Sequence, residues 1–214
     1  GPATAQELFE LTHRAFDLAD HYRNPVIILS DAILGQMMEP VATEAFARQA
    51  APEKAWAVRG TGDQPRKVIK VAPHTDEELI AWNVTLKEKY DRMCEREQRH
   101  EALCMQEARM AVVAFGSSAR IAMDAVQRAR QEGVAVGLFR PISLYPYPGQ
   151  ALKDLVQAGV GRLLVVEANN GQMIEDVRLA VCDAAEVLHY GIGGGHIFSP
   201  DEIYREIARV ARGA

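Results

Sequence analysis

Apolar and polar positions change their period several times along this chain. From Ala5 to Tyr22 the apolar residues recur at helical spacing, with Leu8, Leu11, Ala15, Leu18, Ala19 and Tyr22 on one stripe. His13 and Arg14 fall on the solvated side. Thr4-Ala5-Gln6-Glu7 reads as a capping box, with Thr4 as N-cap and Glu7 reaching back. Asn24-Pro25 stops that helix. Val26 to Leu29 is then apolar on both sides and too short for a helix, the pattern of a strand covered on both faces. Ser30 and Asp31 put polar groups at its C-terminal end, where ligands and partners bind in open parallel α/β sheets. Gly35 lets the chain bend, and Pro40 ends a short helix spanning 32–38. A lone helix–strand unit does not make a sheet, so the first part reads as the tail of a domain whose earlier strands are missing.

From Ala42 to about Pro73 the periodicity dissolves among Pro52, Gly60, Gly62, Pro65 and Pro73. This stretch reads as a crossing linker with Trp56 as its apolar anchor, and Arg66-Lys67 reads as solvated loop rather than an anion patch. Thr75-Asp76-Glu77-Glu78 opens a second helix, its acids set against the positive helix end. Helical character is predicted to about Met105, with a narrow stripe of Leu79, Trp82, Leu86, Tyr90 and Met93 in a highly charged setting. Such a helix serves as an interdomain strut or lies along a partner.

Beyond Arg109 strands and helices alternate. Four strands are predicted, over 110–115, 134–139, 163–166 and 187–190. Between and after them lie helices over 119–131, 149–158, 173–184 and 200–209. Gly116-Ser117-Ser118 predicts a tight turn with a hydroxyl N-cap. Ser199-Pro200-Asp201-Glu202 predicts a capping box with proline at the first helical position. This order implies an α/β domain, its sheet mainly parallel, with helices on both faces.

Composition narrows the function classes. The net charge is −5, which leaves no electrostatic footprint for nucleic acid. No apolar run approaches the roughly 20 residues of a membrane span. Cys94, Cys104 and Cys182 form no CxxC pair and are odd in number. That argues against a cluster, a zinc site or a disulfide framework, and for structural thiols in a reducing cytoplasm. The six histidines have no metal-ligand spacing, and no Ser–His–Asp set can be placed.

Candidate site residues come from the predicted strand ends. Asp31, Gln36 and Glu39 follow one strand; Asn169, Gly171 and Gln172 follow another, where Glu167 ends its strand partly buried. Polar groups at the C-terminal ends of two sheets would converge on an interface. Helix capping by Asn169 and solvent exposure of Glu39 are the simpler readings. Arg140, before Pro141, is expected to pair with an acid across the domain boundary. Gly116-Ser117-Ser118 lacks the lysine of a P-loop, and Gly191–His196 has histidine where a dinucleotide fingerprint needs glycine.

Three landmarks carry a family resemblance together with Arg23–Val41. They are Phe115-Gly116-Ser117-Ser118-Ala119-Arg120, Gly137–Pro146 with its Arg140-Pro141-Ile142-Ser143-Leu144-Tyr145, and Val166–Arg178 with its Glu167-Ala168-Asn169-Asn170-Gly171-Gln172. In this order they resemble the alpha subunit of 2-oxoacid:ferredoxin oxidoreductases, nearest the branched-chain 3-methyl-2-oxobutanoate type, with the 2-oxoglutarate type next. The resemblance implies the C-terminal piece of a thiamine-enzyme pyrimidine domain over 1–45. A linker and charged interdomain helix follow over 46–108, and a transketolase C-terminal-like domain over 109–214.

The same resemblance implies thiamine pyrophosphate and Mg²⁺ at an alpha/beta interface and iron–sulfur clusters on partner chains. It implies a beta subunit, gamma and ferredoxin-like subunits and ferredoxin as partners, in a cytoplasmic hetero-oligomer. The family's activating glutamate, its GDG motif and its CxxCxxC runs have no match here. The resemblance therefore assigns no catalytic, cofactor or metal residue to this chain, expects the isolated chain to be inactive, and leaves it scaffolding and subunit docking. A non-catalytic assembly or regulatory α/β binding module is the alternative.

Overall fold

A computed structural model describes residues 1–44, 54–58, 60, 62, 65–66 and 74–213. Lys67 and most of the predicted linker lie outside the described residues. Arg66 is exposed, and Trp56 lies under the Arg23 guanidinium, 5.1 Å from its ring centre.

The chain opens with helix α1 (Ala5–Tyr22) and a single helical turn α2 (Ala32–Gln36). Thr4 caps α1 by accepting from the Glu7 amide at 3.1 Å. The reciprocal half of the box differs: the Glu7 carboxylate accepts from the Ala3 amide at 2.8 Å and otherwise faces Arg140. Arg14 is not simply solvated, because it pairs with Glu97 at 3.1 Å.

The predicted strand at Val26–Leu29 forms no ladder among the described residues, and Ile27 is 83% exposed. The apolar pattern marks a segment fit to pair, whereas a ladder needs a neighbour's backbone. The run instead lines an apolar cavity of about 490 Å³ with Leu11, Leu18, Met93 and Leu144.

Helix α3 (Asp76–Arg96) starts at Thr75 as expected, but helicity does not reach Met105. The Gln98 side chain closes the end by donating to the Cys94 carbonyl at 2.8 Å. Strand β1 (His100–Leu103) follows. It runs antiparallel to β3 (Val136–Pro141) and covers what would otherwise be an open sheet edge. Helical spacing in this charged stretch concealed a strand whose identity depends on β3.

Strands β2 (Met110–Val113), β3, β4 (Arg162–Glu167) and β5 (Glu186–Gly191) run parallel to one another. The sheet thus has five strands rather than four, in the order β1-β3-β2-β4-β5. Helices α4 (Gly116–Gln131) and α7 (Pro200–Ala211) cover one face, against Val112, Leu138 and Leu164. Helices α5 (Gly149–Gln157) and α6 (Met173–Val181) cover the other, against Val113, Phe139 and Val165. Strands buried on both faces are apolar at nearly every position, which is why they read as continuous runs; Arg140 and Glu167 are buried exceptions.

The Ser199–Glu202 capping box forms in both directions. Cys94 and Cys104 are half-buried and Cys182 is exposed, so Cys182 ends α6 instead of packing in a core. Among the described residues no helix is long and apolar enough to cross a membrane.

Candidate functional site

Helix α4 follows β2 directly, so its amino end opens at the C-terminal edge of the sheet. The expected serine hydroxyl does not cap it. The Asp31 carboxylate does: Oδ2 accepts from the Ser117 amide at 3.2 Å while Oδ1 accepts from the Leu34 amide at 2.9 Å. Asp31 thereby caps its own turn, α2, and reaches across to α4. Burial pushes its carboxyl up, but the hydrogen bonds from Ser117 and the Leu34 and Ile33 amides outweigh that and hold it below the usual range.

Glu39 makes the next link. It accepts from the Ala5 amide at 2.8 Å and pairs with Arg120 on α4. These two partners lower its carboxyl, so the simple solvent-exposed reading does not hold. Gln36 is exposed at the end of α2.

Arg140 on β3 is 5% exposed and carries the strongest link. Its Nη1 and Nη2 donate to the two oxygens of Glu7 at 2.8 Å each, a planar two-point pairing, and its Nε donates to Glu101 on β1 at 2.9 Å. The acid from the first segment expected for Arg140 is therefore Glu7. Burial raises the Glu7 carboxyl, yet the Arg140 and Ala3 hydrogen bonds prevail and hold it low.

A second polar centre closes β4. Glu167 is fully buried, more deeply than its strand-end position suggested. It accepts from the amides of Gln172, Met173 and Ile174 at 3.1, 2.8 and 3.2 Å, and lies 3.1 Å from His189 Nε2. The carboxylate thus saturates the amino end of α6. Asn169 Oδ1 accepts from Gly171 and Gln172 at 2.8 and 3.0 Å, the capping role read as its simpler alternative. Gly171 has φ +102°, and a Cβ on Gly191 would strike the His189 ring at 2.4 Å. Asn169, Gly171 and Gln172 therefore serve the turn into α6.

The sequence-named residues form three sets on one sheet rather than one site between two sheets. Asp31 and Glu39 meet α4, Arg140 meets Glu7 and Glu101, and Asn169, Gly171 and Gln172 surround Glu167. Sequence reasoning missed Glu101, which lay in a predicted helix, and His189, an isolated histidine. Glu7 carried a signal, but its capping role hid its second use. Chemically, these carboxylates are spent on amides, arginines and a histidine. The arrangement holds elements in place. Among the described residues no three His, Cys, Asp or Glu side chains gather as metal ligands.

Residues 108–203 match the pyruvate:ferredoxin oxidoreductase core domain II. The chain is 39% identical over 211 residues to the ketoisovalerate oxidoreductase subunit VorB of Methanothermobacter thermautotrophicus, covering 98% of this chain and 59% of that subunit. It is 30% identical over 239 residues to the 2-oxoglutarate synthase subunit KorA of the same organism, covering 99% of this chain and 63% of that one. Its fold matches a 2-oxoglutarate:ferredoxin oxidoreductase from Magnetococcus marinus with 2-oxoglutarate, coenzyme A and succinyl-CoA bound. That match has a TM-score of 0.75 at 20% identity and covers 98% of this chain and 41% of the other. The chain spans about three-fifths of the length of these two curated relatives. Similarity to 2-oxoacid oxidoreductase subunits runs along essentially the whole of it.

Proposed function

On the premise of this end-to-end similarity, we propose that the chain is the C-terminal portion of an alpha subunit of a thiamine-pyrophosphate-dependent 2-oxoacid:ferredoxin oxidoreductase. The whole enzyme converts a 2-oxoacid, coenzyme A and oxidised ferredoxin to an acyl-CoA, CO₂ and reduced ferredoxin. A branched-chain 2-oxoacid is the first choice of substrate and 2-oxoglutarate the second. The observation that carries the reading is the 39% identity to a ketoisovalerate oxidoreductase subunit over 98% of the chain.

Within that enzyme, residues 1–45 finish a pyrimidine-binding domain, 46–108 cross between domains, and 109–214 form the transketolase C-terminal-like domain. This portion scaffolds and docks subunits. The saturated carboxylates at the sheet edge and the unpaired apolar run at Val26–Leu29 support that role. Asp31, Glu39 and Glu167 do not fit a Mg²⁺–diphosphate group, because amides, Arg120 and His189 already engage them. In this reading thiamine pyrophosphate and Mg²⁺ sit at an interface with a beta subunit, and iron–sulfur clusters on gamma and ferredoxin-like partners. The setting is a cytoplasmic hetero-oligomer with ferredoxin as acceptor.

The test is an assay on the full-length subunit with its co-purifying chains. Ferredoxin reduction that requires coenzyme A should be faster with 3-methyl-2-oxobutanoate than with 2-oxoglutarate. Failure to reduce ferredoxin with any 2-oxoacid would overturn the enzymatic reading. The isolated chain should show no heat of thiamine pyrophosphate binding in a calorimetric titration, and tight binding there would overturn the scaffolding role.

A further inference from the structure

The turn spanning 31–42 projects from the C-terminal edge of the sheet with little core beneath it. Leu34 is buried, while Gln36 is exposed and Met38 is 98% exposed. Its place is set by polar links. Asp31 holds the Ser117 amide, and Glu39 holds Arg120 and the Ala5 amide. The Ala42 amide donates to Gln6 Oε1 at 2.8 Å. Two of these links end on Ala5 and Gln6, in the first turn of α1. That turn is fastened to the sheet by its own next residue, Glu7, through the two-point pairing with Arg140.

Arg140 is built for this. It sits on β3, inside the sheet, where the strand is buried along its whole length. Glu101 on the neighbouring edge strand takes Nε and so fixes the plane of the guanidinium from the sheet side. The remaining two nitrogens then present a fork in one orientation, which a lysine cannot reproduce. The rigid sheet is thus tied through one planar group to the first turn of α1, and through that turn to residues 39–42. We propose that Arg140 is the positioning residue for the 31–42 turn, acting through Glu7 to fix where Gln36 and Met38 project. The inference does not depend on which reaction the full enzyme performs.

Hydrogen exchange on the full-length subunit in its complex tests it, comparing wild type with Arg140→Met, Arg140→Lys and Glu7→Gln. Amides within 31–42 should exchange about tenfold faster in Arg140→Met and Glu7→Gln, with strands β2 and β4 unchanged. Arg140→Lys, which keeps the charge but not the fork, should restore only part of the protection. Residue 140 bonds to Glu7 and Glu101, so an effect at 31–42 reads transmission rather than local loss. Unchanged exchange at 31–42 would overturn the proposal. So would an equal loss of protection in β2 and β4, which would make Arg140 part of the general structure only. If Arg140→Met does not fold, Glu7→Gln decides alone, since it leaves the sheet's own side chains intact.

Discussion

Helix α4 buries Gly116, Ser118, Ala119, Ala122, Ala125, Val126 and Ala129, whereas the longer α3 buries no residue. Yet α3 carries the bulkier apolar side chains, with Leu79, Ile80, Trp82 and Val84 all at least 40% exposed. Apolar content alone does not bury a helix. Helix α4 lies on a sheet whose strands are apolar on both faces, so small residues suffice and allow close approach. Helix α3 runs beside a first segment that is attached largely through charge. Arg14 and Tyr22 meet Glu97, and Lys89 meets Asn24 at 3.1 Å. One region is held by packing and the other by directed polar links.

The comparison can be broken most sharply in the core. Phe139→Ala removes a fully buried β3 ring from the core that α5 and α6 cover, and should cost about 4 kcal/mol in denaturant unfolding. Ile80→Ala on α3 should change stability in the isolated chain by less than about 0.5 kcal/mol. A large loss there would show that α3 packs as α4 does. Next comes Glu167→Gln, which places an amide before three backbone donors; about 2 kcal/mol should be lost in the same measurement. Arg140→Met leaves Glu7 and Glu101 without their cation, and about 1–2 kcal/mol should be lost, since Glu101 remains half in water.

Acid separates the two regions by a smaller step. The Glu7 and Asp31 carboxyls are both held below their usual values in the folded chain. The docking they support is therefore fully present above the ordinary carboxylate value of about 4, and is lost as pH falls through the depressed values. Protection factors of α1 amides should drop relative to those of β2 on acidification from pH 7; parallel loss in both would erase the distinction. The smallest effect belongs to Lys87→Ala, which breaks an exposed pair with Asp91 on α3 and should leave the thermal unfolding midpoint unchanged within error.

Much of this organisation was legible in the residues. The caps at Thr4, Thr75 and Ser199, the four parallel strands and their covering helices follow from local chemistry and period. The site was legible only in part. Asp31, Glu39 and Arg140 were named from strand ends and a proline boundary, and each proves to join the first segment to the α/β domain. Their partners were not named, because Ser117 donates through a backbone amide and Glu101 sits in a strand that looked helical. His189 had no sequence signal, since its role comes from β5 lying beside β4.

By itself the sequence determined the capped starts at Thr4, Thr75 and Ser199, which runs are apolar on both faces, and the α/β class. These depend on a residue and its near neighbours, through capping, backbone freedom and the period of side chains. Tertiary structure alone decided that His100–Leu103 is a strand, that Val26–Leu29 has no ladder partner among the described residues, and that Glu7 and Arg140 meet across 133 positions. A ladder and an ion pair each need two groups brought together by the rest of the fold. No local pattern specifies the second partner.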